Sequence, residues 1–129
     1  MKKYLIDTHV LIWMAQQPEN LSVLSKGILE SANELFLSQV SVWEMAIKIK
    51  AEKLNIVADL SWFIQSSIEK YKLEVLQISL PHIYHTQQLP LHHRDPFDRL
   101  LIAQSMSENI PIISSDDVFD VYDVERIWK

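Results

Sequence analysis

A chain of 129 residues is the size of one domain, here taken as 1–129, and it can bury roughly two thirds of its unfolded surface without covalent staples. The absence of cysteine excludes a disulfide framework and a thiolate metal centre, and it fits a reducing compartment. A formal net charge of -5 argues against a protein that coats nucleic acid through overall charge. It leaves room for a nuclease whose carboxylates are neutralised by a divalent cation.

Lys2 and Lys3 precede an apolar run that Asp7 interrupts almost at once, unlike a secretory signal, and no apolar segment approaches the length of a membrane span. A soluble, cytoplasmic protein is therefore expected. Tyr4, Leu5 and Ile6 read as a short buried strand that stops at Asp7, and residues 9–15 suit a helix that Asp7 or Thr8 can cap. An acid at the carboxyl end of a first strand points into the crevice where open α/β sheets bind ligands, although a cap alone also explains Asp7.

Residues 16–20 with Pro18 form a loop, and Leu21-Ser22 opens a helix with Val23, Leu24, Ile28 and Leu29 at helical spacing. Gly27 is the only glycine, so no phosphate-cradling loop of the Walker or dinucleotide type exists, which argues against ATP, GTP and NAD. Residues 35–38 predict a second strand and residues 40–50 a helix. On that helix Val42, Trp43, Ala46, Ile47 and Ile49 form a broad apolar arc with Glu44 at its margin. Glu44 then reads either as an exposed partner of Lys48 at i+4 or as a functional carboxylate.

The spacing of Leu60, Phe63, Ile64, Ser67, Ile68 and Tyr71 predicts an amphipathic helix over 58–70, with Trp62 on the surface or facing a partner. Residues 73–78 alternate as a strand does, and Pro81 begins a short helix over 82–88. Strand and helix thus alternate throughout, which favours a parallel sheet covered on both sides.

The densest polar cluster is PLHHRDPFDR, residues 90–99, which leads into the apolar helix LLIAQSM. Asp95 before Pro96 reads as an N-cap, which makes Asp98 the third helical residue, a position the helix dipole favours for an acid. Arg94 and Arg99 can pair with these acids or hold a phosphate. Adjacent His92 and His93 seldom face one metal, and no third histidine sits at ligand spacing, so zinc is not expected. Residues 110–117 repeat the opening pattern, an apolar strand that ends in hydroxyls and acids, before a short turn and a last edge strand near 125–128. Asp7, Glu44, Asp98 and Asp116 become candidates for one pocket whose oxygen ligands suit Mg2+ or Mn2+.

The anchors LIDTHVLIW, SVWEMAIK, LPLHHRDPFDRLLIAQ and ISSDDVF, in this order, resemble those of the PIN-domain ribonucleases, in particular the VapC-like toxins of type II toxin–antitoxin pairs. The resemblance covers nearly the whole chain. It implies an αβα sandwich with a central, mainly parallel sheet, and a metal-dependent endoribonuclease. It carries the family's acids onto Asp7, Glu44, Asp98 and Asp116, with Asp7, Asp98 and Asp116 as metal ligands. Ser114 stands where threonine is commoner and keeps the hydroxyl. Asp95 is a further acid that its capping role already explains, and Asp116 is favoured over Asp117 by its spacing to Phe119. One or two Mg2+ ions, about 4 Å apart if two, then serve hydrolysis by water. The resemblance also implies a cognate antitoxin, an RNA substrate and a homodimer. Two other classes remain. A receiver-like phosphotransfer domain needs a second acid where His9 stands, and a non-catalytic module of the same fold needs only an acidic pocket for a partner.

Overall fold

In the computed structural model, which describes residues 2–31 and 33–129, strand and helix alternate as the apolar periodicity predicts. The strands are β1 (Lys3–Ile6), β2 (Glu34–Ser38), β3 (Glu74–Leu76), β4 (Ile112–Ile113) and β5 (Arg126–Ile127). The helices are α1 (Thr8–Gln16), α2 (Val23–Glu30), α3 (Gln39–Lys50), α4 (Leu60–Tyr71), α5 (Leu80–Gln88) and α6 (Pro96–Glu108). Short 3-10 segments cover Pro18–Asn20 and Asp117–Val121. The strands pair in parallel in the order β3-β2-β1-β4-β5.

The period of two along each strand divides the core into two layers. Tyr4, Ile6, Leu35, Leu37 and Ile113 pack on one face, against α1, α2 and α4. Leu5, Phe36 and Ile112 pack on the other, against α6 and Phe119 of the second 3-10 segment. The result is the expected three-layer sandwich. No helix among the described residues is long and apolar enough to cross a membrane.

Helix starts follow local chemistry. Asp7, Ser22, Ser38, Asp59, Ser79 and Asp95 each place a side-chain oxygen on a free N–H of the helix they precede. On α4 the predicted face is the packed one, and Trp62 is exposed. On α2, Ile28 and Leu29 pack against the core, whereas Val23 and Leu24 face outward. The largest departure is α3. Its buried residues are Val40, Ser41, Glu44 and Met45, while Trp43 and Ile47 from the predicted apolar arc are exposed. Packing between α1 and α6 turns the polar stripe of α3 inward, and Trp43 is held instead edge-on against Phe97, ring centroids 5.1 Å apart.

Candidate active site

The chain runs from β1 to β2 and β3 on one side of the sheet, then returns to β4 and β5 on the other. At such a reversal the loops after the two central strands diverge and leave a crevice at their carboxyl ends. β1 and β4 are the strands concerned. Asp7 follows β1 and Ser114 follows β4, and the Asp7 N–H donates to the Ile113 carbonyl at 3.0 Å.

Asp7 is buried and fully engaged. Its Oδ1 accepts the Thr8 N–H at 2.7 Å, and its Oδ2 accepts the Ser114 hydroxyl at 2.7 Å. The two readings of this acid are therefore compatible, because the carboxylate caps α1 and also lines the crevice. Burial raises its pKa, while Ser114, His9 and Thr8 act in the opposite direction.

Glu44 lies opposite, brought inward by α3 and only 4% exposed. Its Oε1 accepts the Thr8 hydroxyl at 2.7 Å, and that hydroxyl also lies 2.9 Å from Ser41 Oγ. Its Oε2 accepts from Lys48 Nζ at 2.6 Å. The i+4 pair read from the sequence is real, but it is directed into the crevice. Burial works against the Lys48 ammonium, yet the hydrogen bond and charge of Glu44, with the fields of Asp95 and Asp98, carry its pKa above the ordinary lysine value.

α6 delivers Asp98. Asp95 Oδ1 accepts the N–H groups of Phe97 and Asp98 at 2.8 and 3.1 Å, so the cap fixes where the third helical residue points. Burial pushes the Asp98 carboxyl up to about 6; a hydrogen bond from His93 opposes the rise, and the charges of Asp95, Asp7 and Glu44 add to it. Repulsion of this kind places Asp98 near Asp7 and Glu44.

Asp116 sits on the exposed rim, where its Oδ1 caps the 3-10 segment through the Val118 N–H. Its own N–H donates to Ser114 Oγ at 3.0 Å, so one hydroxyl connects Asp116 to Asp7. Arg126 donates to the Ser114 carbonyl at 3.1 Å, within the field of both Asp117 and Asp116. The two arginines near α6 differ. Arg94 is exposed, whereas Arg99 directs its guanidinium at the carbonyls of Thr86, Leu89, Pro90 and His93.

Among the described residues, His93, Asp95 and Asp98 place one ligand atom each within 4.8 Å of one another. Together with buried Asp7 and Glu44 they form a concentration of negative charge that Lys48 only partly offsets. The carboxylate oxygens of this group are donors that fit a hard divalent cation. From the sequence Thr8 reads only as a helix cap and His93 only as an unfavoured zinc ligand, and nothing local marks Ser41; their contacts with Glu44, Asp98 and Thr8 come from the fold.

An acid-lined crevice at the switch point of a parallel αβα sandwich defines a class, and the PIN-domain family model matches residues 4–125. The chain belongs to the PIN-domain family. Within it the chain is similar to VapC proteins. It is 23% identical over 123 residues to Ribonuclease VapC22 of Mycobacterium tuberculosis, across 90% of this chain and 88% of that one. Its fold is similar to VapBC2 from Rickettsia felis bound to a promoter DNA fragment, with a TM-score of 0.72, 13% identity, and 98% and 99% of the two chains covered. It is also similar to VapBC-5, a toxin–antitoxin pair of M. tuberculosis, with a TM-score of 0.64 and 21% identity over 100% of both chains.

Proposed function

We propose that this protein is a metal-dependent endoribonuclease, the toxin of a type II toxin–antitoxin pair, and that it hydrolyses RNA phosphodiester bonds with Mg2+ or Mn2+. The observation that supports the reading is the shared field of three acids distant in sequence, the buried Asp7 and Glu44 and the partly buried Asp98. The family membership and the VapC-like relatives support it.

Asp7, Asp98 and Asp116 are the proposed cation ligands. The chemistry a bound Mg2+ or Mn2+ supplies is Lewis-acid activation of water and neutralisation of charge on the phosphodiester. Ser114 orients the Asp7 carboxylate and ties it to the turn that carries Asp116. Glu44, with its oxygens held by Thr8 and Lys48, acts as a fixed negative charge at the wall of the crevice. No side chain needs to act as a nucleophile. Arg94, exposed just before α6, is the proposed contact for a backbone phosphate, one that sets position and not base choice. Exposed Val23 and Leu24 on α2, and Trp43 and Ile47 on α3, offer apolar area to an antitoxin or to a second copy of the chain.

Prepared free of any antitoxin, the protein is expected to cleave single-stranded RNA or tRNA with Mg2+ or Mn2+ and to stop on chelation. Asp7→Asn is expected to reduce cleavage by more than the roughly 10–100-fold typical of residues that only orient a ligand. Cleavage indifferent to both changes overturns the mechanism. A folded sample that never cleaves but binds RNA favours a non-catalytic module.

A further inference from the structure

His93 is the best-anchored residue of the loop before α6. Its N–H donates to the Tyr122 hydroxyl oxygen at 3.0 Å, and its carbonyl accepts from Arg99 Nη1 at 3.3 Å. The Tyr122 hydroxyl in turn donates to the Pro90 carbonyl at 2.8 Å, and Arg99 reaches the same carbonyl at 3.0 Å. Arg99 directly follows Asp98 on α6, so one helix carries both the acid and the clamp on the loop beside it. The imidazole that this clamp positions has its Nε2 2.8 Å from Asp98 Oδ2. An ionised carboxylate only accepts, which fixes the tautomer: Nε2 carries the proton and donates.

We propose that His93 is a positioning residue for the cation site: its Nε2–H holds Asp98 Oδ2 and leaves the other carboxylate oxygen directed to the metal. The proposal rests on the reading of Asp98 as a cation ligand. The crevice makes such a donor necessary. Asp98 stands among the charges of Asp95, Asp7 and Glu44, which repel its ionised form, and His93 Nε2 is the donor on its Oδ2. A donor on Oδ2 would fix the orientation of the carboxylate that holds the cation, as the hydrogen-bonded partners of metal-ligating groups do. Asp95 cannot perform this task, because its carboxylate only accepts, as it does from the first N–H groups of the helix.

The test is Mn2+ binding by calorimetry on the full chain, with thermal melting of the metal-free protein as a folding control. His93→Ala is expected to weaken Mn2+ binding about 10–100-fold with little change in melting temperature. His93→Gln, whose amide N–H can reach the same oxygen, is expected to restore most of the affinity. Unchanged affinity in His93→Ala overturns the proposal, and so does a glutamine variant as weak as the alanine one. Asp98→Asn separates the two levels. If it binds Mn2+ like the wild type, the reading of Asp98 as ligand fails and this proposal fails with it. If it loses Mn2+ while His93→Ala keeps it, only the role of His93 fails.

Discussion

Asp98 shows most directly what the site costs the fold. Its carboxyl is pushed up to about 6 from the ordinary 3.8, chiefly because burial disfavours the charge. With the folded-state value above the unfolded one, the folded protein holds the proton more tightly. The resulting stabilisation is complete below the unfolded value near pH 4 and is lost as pH rises through about 6. At about 1.36 kcal/mol per pKa unit the loss reaches roughly 3 kcal/mol. Metal-free wild type is therefore expected to resist urea less at pH 7.5 than at about pH 5. Asp98→Asn keeps an acceptor for His93 but removes the charge. It is expected to be the more stable protein at pH 7.5, by up to about 3 kcal/mol, and to lose that part of the pH dependence. Urea titrations of both proteins in chelator at the two pH values check this. A less stable asparagine variant at the higher pH would contradict it.

Among the elements, α6 and the loop before it behave as one body because Arg99 joins them. The planar guanidinium serves several carbonyls at once, which a lysine ammonium on a flexible stem does not. Arg99→Lys is expected to cost about 1–3 kcal/mol, seen as a lower melting temperature, while the salt dependence of RNA binding keeps its slope. Arg94→Ala is expected to do the reverse, with melting unchanged and the slope of log affinity against log salt shallower by about 0.7. An Arg99→Lys protein that melts normally but binds RNA with a flatter slope would make Arg99 a phosphate contact after all. These two arginines looked alike in the sequence, and their difference marks what was legible there. Features settled within a few residues could be read: the β1 strand that stops at Asp7, the Asp95-Pro96 start of α6, and the packed face of α4. Features settled by partners far along the chain could not. α3 reads as a helix that buries Trp43 and Ile47, because nothing local reveals that Ser41 and Glu44 meet Thr8 of α1. The same holds for Thr8, whose hydroxyl meets Ser41 and Glu44 more than thirty positions further along the chain.

For the whole molecule, a net charge of -5 is unevenly spent, since several carboxylates converge on the carboxyl end of one sheet. Repulsion there opposes the compact state, and the fold tolerates it because two apolar layers hold the strands from either side. A ligand that binds only the assembled crevice must then stabilise the entire domain, because the unfolded chain scatters the acids. At 100-fold excess over its dissociation constant, Mn2+ is expected to add about 2.7 kcal/mol, visible as a rise of several degrees in melting temperature. Protons compete for the same carboxylates, so the rise is expected to shrink as pH falls through about 6, the value at which Asp98 takes up its proton. Monovalent salt at equal ionic strength screens the repulsion but cannot be chelated, so its effect is expected to be smaller and much the same in Asp98→Asn. Melting curves with Mn2+, with sodium chloride and with chelator, each at two pH values, separate the contributions. A Mn2+ effect that survives in Asp98→Asn, or that is independent of pH, would locate cation binding elsewhere on the surface and leave the crevice without its proposed occupant.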